Sequence, residues 1–286
     1  MDWARDRAIW PNAEASQFFD VKPHNWHVQT AGSGDTMLLL HGAGGATQSW
    51  RDLFPILARD FYVVAPDLPG QGFTRMGTRM RCGYRPIAED LARLCEAQGW
   101  RPKWIVGHSA GAVLALELTR YLDPEQVVCI NAALGKFEGI AGWLFPLMAK
   151  FMAINPLIPP LFARMAGGER RVAELLASTG STINAEGHTL YRKLMTDKHH
   201  IDGTLAMMAQ WNIDPLLNRL DQITVPVHLI VGDKDGTVPA ETSVRAADKL
   251  PNATLTKLPG IGHLAHEEVP AEIAALIRQS AGDTAA

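Results

Sequence analysis

Trp104-Ile105-Val106-Gly107-His108-Ser109-Ala110-Gly111-Ala112-Val113-Leu114-Ala115-Leu116-Glu117-Leu118 is the stretch that decides the fold. A short apolar run leads into G-x-S-x-G, and the Ala/Leu-rich segment after it is a strong helix former. The pattern predicts a strand, a sharp turn and a helix, with Ser109 at the apex. Bare Cα atoms at Gly107 and Gly111 let the turn tighten and let strand and helix approach. The N-terminal amides of the following helix then point at whatever negative charge forms beside the serine.

Residues that could activate a serine follow in order. Val227-His228-Leu229-Ile230-Val231 reads as a strand and runs into Gly232-Asp233-Lys234-Asp235-Gly236-Thr237-Val238-Pro239. Leu258-Pro259-Gly260-Ile261-Gly262-His263-Leu264 comes later. A hydroxyl is a poor nucleophile until a base takes its proton. In this reading Ser109 is the nucleophile and His263 the base, and a carboxylate fixes the imidazole tautomer and stabilises its charged form. Asp233 and Asp235 compete for that last role; the one not used would cap its loop by accepting from nearby amides. Met37-Leu38-Leu39-Leu40 reads as a buried strand entering His41-Gly42-Ala43-Gly44-Gly45. Position assigns the oxyanion-stabilising amides to Ala43 and Ala110. His41 reads as a residue that ties the glycine turn down, not as a second base.

Composition fits an enzyme with one large core and an insertion: 286 residues, 47% of them hydrophobic. A formal net charge of -3 gives no reason to expect nucleic acid as a partner. Cys82, Cys95 and Cys129 have no C-x-x-C spacing and read as free thiols in a reducing, cytoplasmic setting. The charged start, Met1-Asp2-Trp3-Ala4-Arg5-Asp6-Arg7, does not read as a signal peptide. Residues 143–162 are apolar enough to suggest a membrane span. Pro146, Pro156, Pro159, Pro160, Lys150 and Asn155 argue against one.

Strands are expected at 26–30, 37–40, 61–65, 104–106, 127–130 and 227–231, with helices at 50–57 and 86–98 between them. Such alternation predicts an α/β fold with a mostly parallel, doubly covered sheet. It stops between 134 and 217, where only helix-like segments broken by Pro and Gly occur. The expected domains are therefore a core of 1–133 plus 218–286 and a helical cap of 134–217. The cap holds six of the ten methionines, together with Trp143, Phe145 and Trp211, which suits a broad, adaptable apolar surface. Trp143, Phe145, Met148, Met207, Met208 and Trp211 are its candidate substrate-binding residues. His199-His200 reads as an exposed polar turn. Residues 68–88 contain no acid but carry Arg75, Arg79, Arg81 and Arg85. Arg75 and Arg79 are candidates for holding substrate carboxylates through bidentate bonds.

His41-Gly42, the segment from Pro66 to Gly72, Gly107 to Gly111 and Gly232 to Pro239 together resemble the α/β-hydrolase superfamily. The resemblance implies that fold, with the cap inserted after the sixth strand and over Ser109. It also implies Asp235, which matches the acid of G-x-x-D-x-x-V-P loops. Gln71 departs from the usual P-G-H-G. More narrowly, Trp26 to Gln29, Ser49 to Leu53, Asn155 to Pro159, Thr179-Gly180-Ser181, Ala206 to Trp211 and Gly262 to Glu268 resemble the magnesium-chelatase accessory proteins of bacteriochlorophyll biosynthesis. That resemblance implies a place in the magnesium branch of chlorophyll pigment synthesis in photosynthetic bacteria. Its implied partners are a tetrapyrrole or other small ester and the chelatase subunits, with peripheral membrane contact through the cap. No G-x-x-x-x-G-K-[ST] and no metal-ligand spacing occurs, so neither an ATPase role, a metal nor another cofactor is expected. Three readings follow: a serine ester hydrolase, a non-catalytic porphyrin-binding or chelatase-partner protein, and a cofactor-free perhydrolase of haloperoxidase type.

Overall fold

Alternate residues of the strand Thr36–Leu40 enter different cores. Leu38 and Leu40 belong to one buried cluster, Met37 and Leu39 to another. The strand Pro102–His108 divides in the same way, with Ile105 on one side and Trp104 and Val106 on the other. Two-residue periodicity with both faces apolar is what a sheet covered on both sides requires. The computed structural model describes residues 1–135 and 168–283. Its strands are β1 (Ser16–Val21), β2 (His24–Ala31), β3 (Thr36–Leu40), β4 (Tyr62–Pro66), β5 (Pro102–His108), β6 (Gln126–Ile130), β7 (Val227–Gly232) and β8 (Ala253–Leu258). They form one 8-stranded sheet in the order β1-β2-β4-β3-β5-β6-β7-β8. β1 and β2 and β2 and β4 pair antiparallel, and all later neighbours pair parallel.

The described helices are α1 (Trp3–Asp6), α2 (Leu53–Leu57), α3 (Tyr84–Gln98), α4 (Ala110–Leu118), α5 (Glu169–Ser178), α6 (Ala185–Met195), α7 (Lys198–Ala209), α8 (Asp214–Leu217), α9 (Ala240–Ala247), α10 (Ala265–Glu268) and α11 (Pro270–Asp283). α3 and α4 cover one face of the sheet and α2 and α11 the other. α4 is buried along its whole length, as its apolar residues demand, and its one charged residue, Glu117, is buried in ion pairs with Arg120 and Arg219.

Two edge strands were not among those expected from sequence. β1 is exposed or half-buried throughout, and β8 (Ala-Thr-Leu-Thr-Lys-Leu) is half-polar. An edge strand buries too little to need an apolar run, so it leaves a weak signal. β2 and β3, the strands expected at 26–30 and 37–40, are separated in the sheet by β4.

A helical region is inserted between β6 and β7, and α5 to α8 lie in it. Trp143, Phe145 and Met148 lie outside the described residues. His199-His200, expected as an exposed polar turn, is instead the first turn of α7. Asp197 caps that helix, accepting from the His199 and His200 amides at 3.0 Å each. His199 is exposed, but His200 is 1% exposed. Among the described residues no helix is long and apolar enough to cross a membrane.

Candidate active site

The parallel strands gather their C-terminal ends on one edge, where an open α/β sheet places its ligand crevice. β5 delivers Ser109 there with φ 52° and ψ −113°, a conformation that costs a serine about 1–3 kcal/mol. Ser109 N–H donates to the Ile130 carbonyl at 2.9 Å, and the Ser109 carbonyl accepts from Ala133 N–H at 3.2 Å. These bonds tie the strained residue to the end of β6. A Cβ on Gly111 would run into the Leu40 carbonyl oxygen, so α4 can leave the turn only with glycine there. The turn after β3 abuts the serine: a Cβ on Gly42 would lie 3.1 Å from Ser109 Cβ. Ala43 is exposed in that turn and Ala110 begins α4. Among the described residues neither of their amides donates to a backbone carbonyl.

Asp235, not Asp233, meets the histidine. His263 Nδ1–H donates to Asp235 Oδ2 at 2.7 Å, which leaves Nε2 as the basic nitrogen of the ring. Asp235 Oδ1 accepts from the Thr237 and Val238 amides at 2.8 and 2.7 Å. Burial pushes the Asp235 carboxyl up, but the His263 bond and charge, the Val238 amide and Asn131 together hold it below its ordinary value. Asp233 is exposed and accepts from Gly260 N–H at 2.6 Å, a loop-capping contact.

Sequence reasoning missed Asn131, whose Nδ2 donates to Asp235 Oδ2 at 2.8 Å. It stands just after β6 with φ 46°, and an asparagine ending an apolar run is the available signal, since it tolerates that region. The turn Thr179-Gly180-Ser181, flagged without a role, is wedged between the acid and histidine loops. The Thr179 carbonyl accepts from Gly236 and His263 amides at 3.0 Å each, and Ser181 Oγ accepts from Leu264 N–H at 2.8 Å.

Behind His263 lies a stack of buried rings. His108 sits 4.8 Å from His263 and 4.3 Å from His266, and His266 rests on Trp50 at 4.5 Å between ring centroids. His108 Nε2–H donates to the His263 carbonyl at 2.9 Å. Burial, helped by the charge of His263, brings His108 down to about 3. His41 Nε2 accepts from Leu68 N–H at 2.9 Å, so its Nδ1–H donates to the Gly42 carbonyl at 2.8 Å. Burial outweighs the Asp67 charge and lowers His41 too, keeping the ring neutral for these two roles.

The candidate substrate residues are scattered. Met207 is buried, 3.2 Å from Gln71 Nε2 through its sulfur. Met208 is half-buried. Trp211 packs edge-on against Tyr84 at 6.2 Å. Arg79 pairs with Asp202 of α7. Arg81 pairs with Asp90 and Glu89, and Arg85 lies 3.8 Å from Glu117. Arg75 is exposed, its backbone exchanging both hydrogen bonds with Asn25.

The profile of the alpha/beta hydrolase fold family matches residues 35–270. The chain belongs to that family. Within the hydrolase fold it is 44% identical over 262 residues to the magnesium-chelatase 30 kDa subunit of Rhodobacter capsulatus, covering 91% of this chain and 92% of that one. Among solved structures it resembles the epoxide hydrolase CorEH, with TM-score 0.77, 21% identity and coverage of 93% and 97%. It also resembles an esterase of Thermogutta terrifontis, with TM-score 0.74, 20% identity and coverage of 94% and 98%. At such identities the two structures speak to the fold alone.

Proposed function

We propose that this hydrolase-fold protein is a serine hydrolase acting on a carboxylic ester within the magnesium branch of tetrapyrrole synthesis. The observation that carries the reading is the 2.7 Å His263–Asp235 bond set beside a strained serine turn. In the proposed reaction His263 Nε2 takes the Ser109 proton as Oγ attacks the ester carbonyl. The Ala43 and Ala110 amides hold the oxyanion. The tetrahedral adduct collapses, the C–O bond breaks, and His263 passes its proton to the departing alcohol. Water, deprotonated by the same nitrogen, then releases the acid and restores Ser109. Asp235 stays ionised and stabilises the imidazolium.

The assignment to tetrapyrroles rests on the 44% identity to a magnesium-chelatase subunit. That same identity favours a second reading, in which the chain binds a porphyrin or the chelatase and catalyses nothing. One experiment separates them. Intact-mass labelling by a fluorophosphonate should occur in wild type and vanish in Ser109→Ala; equal labelling of the variant would sink the hydrolase reading. Protection of Ser109 by magnesium or metal-free porphyrin esters would tie the site to its substrate class. Saturable quenching of tryptophan fluorescence by porphyrins without any labelling would support the binding protein.

A further inference from the structure

His200, Gly203, Thr204 and Met207 recur along α7 at the spacing that places side chains on one helix face. That face meets the turns at Gly44 and Gly70 to Gly72. A Cβ on Gly203 would run into the Gly70 carbonyl, so helix and loop meet backbone to backbone. Beside this contact the His200 ring spans two core turns. Its Nδ1 accepts from Gly72 N–H at 3.0 Å, so Nε2 carries the proton and donates to the Gly44 carbonyl at 3.1 Å. Gln71 Oε1 accepts from Gly44 N–H at 2.7 Å, and Gln71 Nε2 donates to Met207 Sδ. Burial brings His200 down to about 4, so the ring stays neutral and Nδ1 can go on accepting.

Peptide planarity turns these contacts into a relay. The Gly44 carbonyl and the Gly45 amide share one rigid plane. Gly45 N–H donates to the Gly42 carbonyl at 3.1 Å. That carbonyl shares its plane with the Ala43 amide, and in a trans peptide the two point in opposite directions. The Gly42 carbonyl is thus held from the core by His41 Nδ1–H at 2.8 Å and from the α7 side through the Gly44 plane, and the two together set where Ala43 N–H points. Gly44 has φ +79°, a region glycine enters freely and can leave as easily, so the plane needs an outside anchor.

We infer that His200, carried by the inserted helix α7, is a positioning residue that aims the Ala43 amide through the Gly44–Gly45 and Gly42–Ala43 peptide planes. The inference rests on the serine-hydrolase reading. On it, α7 supports the oxyanion site through the Gly44 turn and is not a removable cover.

The test is a set of three variants assayed on a p-nitrophenyl ester. His200→Leu removes the donor. His200→Gln restores an N–H near the Nε2 position, and His200→Asn restores an acceptor near Nδ1 only. Losing an oxyanion donor outright costs roughly 100- to 1,000-fold in kcat. A misaimed one should cost less, roughly 10- to 100-fold in His200→Leu, with KM within about threefold. His200→Gln should recover most of kcat and His200→Asn should not. Affinity for a trifluoromethyl ketone, whose adduct places an oxyanion at the amides, should fall by the same factor as kcat. Equal losses in Gln and Leu, or a loss in KM alone, would overturn the assignment. Should Ser109→Ala hydrolyse the ester as fast as wild type, the hydrolase reading itself falls. Amide exchange in the 42–45 turn then decides the relay: faster in Leu and restored in Gln upholds it, and unchanged exchange ends it.

Discussion

Between the acid and histidine loops the inserted segment places a backbone carbonyl; at the Gly44 turn on the oxyanion side it places a histidine side chain. The Thr179 carbonyl serves both the Gly236 and His263 amides, and side chains add to it: the Ser181 hydroxyl takes the Leu264 amide, Tyr191 donates to Glu267, and Leu264 packs among Val172, Leu176 and Ile183. On the other side His200 and Met207 reach the Gly44 turn directly and through Gln71. A backbone grip depends on close approach and tolerates changes of side chain, provided no Cβ intrudes. A side-chain grip depends on which atoms donate and accept. One insertion therefore places two different sets of constraints on the core it covers.

The largest test concerns the pair that the backbone grip holds. In a serine protease, replacing the orienting aspartate by asparagine costs about four orders of magnitude in kcat. Asp235→Asn should approach that loss in ester hydrolysis. Asp233→Asn should change activity by no more than a few-fold, because the exposed Asp233 carboxylate reaches the Gly260 amide and not the His263 ring. The reverse ranking would show that the acid loop has been misassigned.

Acid sensitivity comes next. His108 and His200 are buried neutral, their folded values near 3 and 4, below the ordinary 6.5. The unfolded chain binds the protons that the folded chain refuses. Stability from these groups is thus complete above about pH 6.5 and lost as pH falls toward the folded values. At pH 5 each should have given up about 2 kcal/mol. Urea midpoints at pH 7 and pH 5 measure the sum. His108→Asn on one side of the site and His200→Gln on the other should each flatten the slope by about one proton. A midpoint that does not move in wild type would remove this account of both halves.

Gly180 probes the backbone grip itself. It has φ +77°, and a Cβ there would strike the Lys234 carbonyl. Gly180→Ala should lower stability by about 2 kcal/mol or more. Thr179→Ala keeps the carbonyl and loses only hydroxyl bonds, worth about 1 kcal/mol. Equal costs at the two positions would mean that the Thr179 hydroxyl holds this turn as firmly as its backbone does. The smallest effect is expected at Arg79, whose pair with Asp202 is partly exposed. Arg79→Ala should cost about 0–1 kcal/mol and be salt-sensitive. A selective loss of affinity for porphyrin free acids over diesters would instead give Arg79 a ligand.

The sequence alone carried the elbow, the order of serine, acid and histidine, and the buried strands, because each is written in neighbouring residues. An apolar run, a glycine pair or a Pro-terminated loop is a local signal that needs no distant partner to be read. The edge strands β1 and β8 escaped because a half-exposed strand needs no such run. The resemblance already pointed to Asp235 over Asp233, and the folded chain sets that carboxylate against His263. Tertiary structure alone brought Asn131 to the acid and turned His200 inward. Those contacts join residues 104 positions apart for Asn131 and Asp235, and 128 for Gly72 and His200. Burial makes each such bond matter, since a buried donor or acceptor without a partner costs about 1–3 kcal/mol. No local pattern records which distant atom will meet that need; only the folded chain brings it within reach.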